Sequence, residues 1–315
     1  MSSQRVARIV RDARFERLVP VGAELVALAG GTVWAEGPVY LPDEDALVWS
    51  DIPNDRVLRW SGTDGSVRDL YRPADFANGH TLDHDGTILA CEQGPRRIAR
   101  YERDGSRTTV VDRYQGRRLN SPNDIVVASD GAIWFSDPPY GIASDREGHK
   151  AESELGGCFV FRFDRTNGEL ALMTDAMVDP NGLAFSPDER TLYVSDTSQA
   201  RFDDGNHHIL AFDVIDGVGG RRLGEPRLFA VIEPGLADGF RVDAEGNVWT
   251  SAGDGIHVLD PDGTELGRIL MPEPVGNCTF GGRDGRRLFI VATSTLWSIE
   301  VGIRGDRTPW VDDRR

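Results

Sequence analysis

PNGLAFSPDERTLYVSD, residues 180–196, reads as a β-hairpin. Two apolar runs, LAF and TLYV, flank SPDER, whose Ser, Pro and Asp favour a tight turn. The runs are too short for helices, and the second is apolar at almost every position, as in a strand covered on both faces. Moving outward, the same pattern recurs as PNDIVVASDGAIWFSD at 122–137 and ADGFRVDAEGNVWTSA at 237–252. It recurs again as NGHTLDHDGTILACE at 78–92, EGPVYLPDEDALVWSD at 36–51 and GNCTFGGRDGRRLFIVA at 276–292.

An internal repeat of about 40 residues outweighs any local signal in deciding the fold. Within each unit a third strand follows (RVLRW, RIARY, CFVFRF, HILAFDV, IHVL and LWSI), and a more polar fourth closes most units. Four strands per unit, six units and no long helix predict an all-β chain folded as a six-bladed β-propeller. A β-sandwich requires no such period and no recurrent polar residue at one place in each unit. The expected organisation is an N-terminal extension with a short helix at 1–23, then a single propeller domain at 24–315. The last unit is short of an outer strand, and Glu24–Ala29 is expected to supply it.

The formal net charge is −16, spread along the chain. Such a field repels nucleic acid and anionic membranes, both of which need Lys and Arg to neutralise phosphate. No run of about 18 apolar residues offers a membrane span, and the basic N-terminus lacks the apolar core of a secretory signal. The three cysteines, Cys91, Cys158 and Cys278, lack CxxC spacing and suit small buried thiols. The expected location is the cytoplasm, and the expected partner is a small molecule.

Each repeat opens on a side chain that carries oxygen: Glu36, Asn78, Asn123, Asn181, Asp238 and Asn277. The innermost strand of a propeller blade starts at one mouth of the central channel, so these six converge on one space. Buried without partners, each polar group costs about 1–3 kcal/mol, and two facing carboxylates repel unless a cation sits between them. A hard cation resolves both problems, since Ca²⁺ takes six to eight oxygen ligands. With no His or Cys in the set, Ca²⁺ is expected first, then Mg²⁺ or Mn²⁺, with Zn²⁺ last. Turn chemistry alone explains an Asn-Gly or an Asp-Gly, but not Glu36 in the same place. The ligand set is therefore Glu36, Asn181 and Asp238, with Asn123 beside them. Asn78 and Asn277 read as substrate contacts or as turn residues.

The motifs at these residues are W-A-E-G-P-V-Y at 34–40, R-L-N-S-P-N-D at 118–124 and W-F-S-D-P-P-Y-G at 134–141. D-P-N-G-L-A-F-S-P-D at 179–188 and A-D-G-F at 237–240 complete them. In this order the chain resembles the SMP-30/gluconolactonase/LRE-like family from about residue 30 onward. Its extended NSPND and DPPYG forms are closer to the bacterial gluconolactonases than to the shorter animal members, which have Arg where this chain has Ser121. The resemblance implies a six-bladed propeller with a divalent metal on Glu36, Asn181 and Asp238, and with Asn123 at the metal or the substrate. It also implies hydrolysis of a sugar lactone by water, with Asp238 as general base. Asn78, Asn123 and Tyr140 are the expected substrate contacts. Two other readings stand beside it: a phosphotriesterase or fluorophosphatase on the same metal site, and a non-catalytic propeller that binds a protein.

Overall fold

The computed structural model describes residues 3–217 and 220–306. The predicted hairpins form and extend into six antiparallel sheets, the blades. Blade one, for example, runs from Ala35–Leu41 through Ala46–Asp51 and Arg56–Ser61 to Val67–Tyr71. The six inner strands touch their neighbours right round the ring, and Val275–Gly281 of blade six meets Ala35–Leu41 of blade one. This is the six-bladed propeller expected from the repeat.

The second strands explain why the units pack this way. Ala46–Asp51, Ile133–Asp137 and Val248–Ala252 are buried at every position, because each lies between the two neighbouring blades. Trp49, Trp134 and Trp249 on these strands are among the largest fully buried side chains. Removing a side chain of that size from a core costs about 3–5 kcal/mol. The hairpin turns need left-handed backbone, which Gly131 supplies in blade three with φ 82°. Blade four has no glycine there, and Glu189 adopts φ 55° instead. Its carboxylate is fixed by the N–H and hydroxyl of Ser129, each at 2.7 Å, and by Arg221.

Glu24–Gly30 pairs antiparallel with Thr295–Glu300, with Ala27 opposite Trp297, and so supplies the missing outer strand of blade six. Two further strands lie in the first ten residues, where the sequence reading gave none. Ser3–Arg5 pairs with the closing strand, and Ala7–Val10 pairs with Glu265–Leu270 of blade five. One helical turn, Phe15–Leu18, follows. Phe15, Leu18, Val19 and Leu25 join one core cluster with Trp249 and Ile269 of blade five and Leu288 and Ile290 of blade six. The outer ends of the two expected segments, 1–2 and 307–315, lie outside the described residues. Among the described residues no helix is long and apolar enough to cross a membrane.

Candidate active site

The six oxygen-bearing residues do gather at one mouth of the channel, and neighbouring inner strands hold them there by backbone contact. A Cβ on Gly37 would collide with the Asn78 carbonyl, and one on Gly276 would collide with the Glu36 carboxylate. Glycine at these two places lets adjacent blades close. Gly79 N–H donates to the Asn123 carbonyl at 2.8 Å, and Gly182 N–H to the Asp238 carbonyl at 2.9 Å. Serines of the second strands add clamps: Ser50 Oγ donates to the Asn78 carbonyl at 2.9 Å, and Ser251 Oγ accepts from the Asp238 N–H at 2.8 Å. The acidic residue after such a serine serves the backbone. Asp137 accepts from the N–H groups of Asn120 and Ser121 at 2.8 and 2.9 Å. Asp51 and Asp196 cap their own loops in the same manner.

Glu36 is 4 % exposed. Its Oε2 accepts from Gly37 N–H at 3.0 Å and from Asn277 Nδ2 at 3.4 Å, while Oε1 is buried with no partner. The Glu36 and Asp238 carboxyls lie close enough to act on each other, and Asn181 stands beside Asp238 as well. Burial, then repulsion from Asp238, holds the Glu36 carboxyl well above the usual carboxylate range. Burial also pushes Asp238 up to about 7, with the negative charge of Glu147 adding to it and the Asn181 hydrogen bond opposing it. Two acids that both resist ionising, ringed by amide side chains, make a cradle that a hard cation fits. Glu36 Oε1 is the oxygen most in need of one. Among the described residues no three His, Cys, Asp or Glu side chains cluster as a metal site, so a cation here relies on the asparagines for the rest of its shell.

Asn78 and Asn123 line the same mouth, 5 % and 6 % exposed. Their amide groups make no hydrogen bond to the described residues. Tyr140, on the helical turn Tyr140–Ala143, stands at the lip. Its hydroxyl lies 2.6 Å from Thr197 Oγ1, which accepts from Asn181 Nδ2 at 2.9 Å. The segments that follow the second strands of blades three and four thus meet at Tyr140 and Thr197.

His80 faces the neighbouring blade. Its Nδ1 donates to the Gly37 carbonyl at 2.8 Å, its ring packs edge-on to Tyr101, and Nε2 is buried without a partner. Burial lowers its pKa from 6.5 to about 4. Between those values the unfolded chain binds the proton that the folded protein refuses. This contribution to stability is present above pH 6.5 and is lost as pH falls toward 4. Over that interval the protein is expected to lose about 2–3 kcal/mol more than a His80→Gln variant. Denaturant melts at pH 6.5 and 4 measure this, and parallel losses would show that His80 is not held neutral.

Three site residues escaped the sequence reading. Glu147 projects from the blade-three loop close enough for its charge to act on Asp238, and burial raises its own pKa. Asp124 and Arg241 form an ion pair at 3.2 Å across the channel, between blades three and five. Asp124 was detectable, because it follows the ring residue where four of the six units have Gly. Nothing in the local sequence marks Glu147.

The SMP-30/Gluconolactonase/LRE-like region matches residues 34–294. The chain belongs to this family. It is 33 % identical to a gluconolactonase of Zymomonas mobilis, over 94 % of this chain and 86 % of the relative. It is 32 % identical to pentonolactonase XacC of Haloferax volcanii, over 81 % and 80 %. The solved structure of a gluconolactonase of Xanthomonas campestris superposes with TM-score 0.87 at 40 % identity, covering 95 % of each chain. This family member is a lactonase, so the non-catalytic reading falls away.

Proposed function

We propose that this lactonase opens a sugar lactone, glucono-1,5-lactone or a related aldonolactone, at the mouth where Glu36, Asn123, Asn181 and Asp238 hold one divalent cation. Ca²⁺ is the favoured ion because every donor is oxygen and two are carboxylates. One observation carries the reading: the half-buried Asp238 carboxyl lies beside the buried Glu36, whose Oε1 has no hydrogen-bond partner. The names of the relatives, a gluconolactonase and a pentonolactonase, support a sugar lactone as substrate. The three free cysteines support a reducing compartment, the cytoplasm.

Bound there, the cation supplies a Lewis acid for the lactone carbonyl. The chain supplies the rest. Asp238 accepts a proton from the attacking water as its oxygen bonds to the carbonyl carbon. The ring C–O bond then breaks, the proton passes to the departing ring oxygen, and the aldonic acid formed leaves as aldonate after releasing its carboxyl proton to solvent. Asn181 orients Asp238, and Thr197 orients Asn181. Asn78 and Asn123 present free amides to the sugar hydroxyls, and Tyr140 meets them from the lip.

Dialysis against EDTA is expected to reduce turnover of glucono-1,5-lactone at least a hundredfold, and added Ca²⁺ is expected to restore it. Calcium at a hundred times its Kd should also stabilise the fold by about 2.7 kcal/mol, visible as a higher Tm. Full turnover by protein shown to be metal-free by elemental analysis would end the metal reading.

A further inference from the structure

The other mouth of the channel opens into a cavity of about 500 Å³, a size that suits a small ligand. The residues three positions after the polar ring all line it: Val39, Thr81, Val126, Ala184, Arg241 and Phe280. Five of these offer methyl or aromatic surface, and the sixth is an arginine. Arg241 is 17 % exposed on its side chain. Its Nη1 donates to Asp124 Oδ2 at 3.2 Å and to the Phe240 carbonyl at 2.7 Å. Nε and Nη2 make no hydrogen bond to the described residues. That edge of a guanidinium is a planar pair of donors, the geometry a carboxylate fits with two parallel bonds.

We propose that this cavity is a second ligand site, taking a small monocarboxylate with an apolar body. The carboxylate sits on the Nε and Nη2 edge of Arg241, and the body fills the space between Val39, Val126, Ala184 and Phe280. An apolar body suits these four walls better than a polyol, because they offer only hydrocarbon to it. The acids at the rim are largely neutralised: Asp83 is held by Arg100 and Arg165, and Glu189 by Arg221. Asp188, with Arg190 3.9 Å away, and Asp306 line the cavity as well, which favours a single negative charge over two.

The site has a route to the opposite mouth. Asp124, which Arg241 holds, follows Asn123 directly, and its Oδ2 also accepts from the N–H of Leu183, two residues after Asn181. A carboxylate that shares Arg241 weakens its hold on Asp124 and leaves the ring more negative. Divalent cation binding should then tighten severalfold. This second step rests on the metal reading; carboxylate binding itself does not.

The test is calorimetric titration of benzoate, with benzamide as the uncharged isostere, into the intact protein in EDTA and in calcium. Arg241→Lys keeps the charge beside Asp124 but removes the two-donor edge. Thr81→Trp fills the cavity and leaves the ion pair alone. Benzoate is expected to saturate in EDTA, with benzamide at least tenfold weaker and both variants at least tenfold weaker for benzoate at native Tm. Equal binding of benzoate and benzamide, or wild-type benzoate affinity in Arg241→Lys, would overturn the site. Calcium titrations with and without benzoate read the coupling, and an unchanged calcium affinity rejects it. If calcium fails to bind at all, the metal reading falls, while the EDTA arm still decides the carboxylate site.

Discussion

Asp238→Asn is expected to lower kcat on glucono-1,5-lactone by about a thousandfold, within the range for a lost general base, while Tm stays near that of the native protein. The substitution is close to isosteric. An amide keeps an oxygen for the cation and can still bond Asn181, yet it cannot take a proton from water. It also removes one of two neighbouring carboxylates that repel each other, so the fold has little to lose. The backbone of Asp238 is fixed by Ser251 and Gly182. The geometry of the mouth should therefore survive the change. Glu36→Gln gives the contrasting result. Its main loss is expected in calcium affinity, because Glu36 Oε1 is the oxygen with no other partner. Steady-state kinetics with calcium in excess, beside calcium titrations of both variants, separate the two roles. An Asp238→Asn enzyme within tenfold of native kcat would remove Asp238 as the base and leave it a ligand.

The parts of this site that were legible in the sequence are those written by the repeat. Glu36, Asn78, Asn123, Asn181, Asp238 and Asn277 stand in register, so the fold that places one places all six. Register also separates Asn277 from the rest: its Nδ2 is given to Glu36 and its Oδ1 accepts from Cys278 N–H at 2.8 Å, which makes it a support for Glu36. Glu147 sits in an insertion that only one blade carries, and its approach to Asp238 is set by tertiary packing of that loop. Gly148 lies against the Gly141 backbone, and the His149 ring packs edge-on to Phe76 from another blade. No period or propensity encodes such contacts. The Asp124–Arg241 pair falls between these cases. Each residue departs from its register position, yet only the closed ring shows that the two departures meet.

Of the N-terminal strands only Glu24–Gly30 was legible in the sequence, and together with Ser3–Arg5 and Ala7–Val10 it supports the other large prediction. A chain beginning at residue 32 is expected to lose cooperative folding at 25 °C. Ring closure here is non-covalent: Glu24–Gly30 completes blade six, whose other three strands come from residues 275–300. Without it, Thr295–Glu300 becomes an open edge, its unpaired N–H and C=O groups ready to pair with another chain. The same cut removes Phe15, Leu18, Val19 and Leu25, each at most 1 % exposed, from the cluster between blades five and six. Truncating a single large buried side chain costs about 2–5 kcal/mol, whereas a whole domain is stable by only about 5–15 kcal/mol. Four such losses together exceed that margin. Phe15→Ala alone tests the packing share of this argument, with an expected loss of about 3–5 kcal/mol in denaturant melts. A truncated chain that melts cooperatively within a few degrees of the full-length protein would mean that five complete blades and a three-stranded sixth suffice, and that the first 31 residues are only a cover.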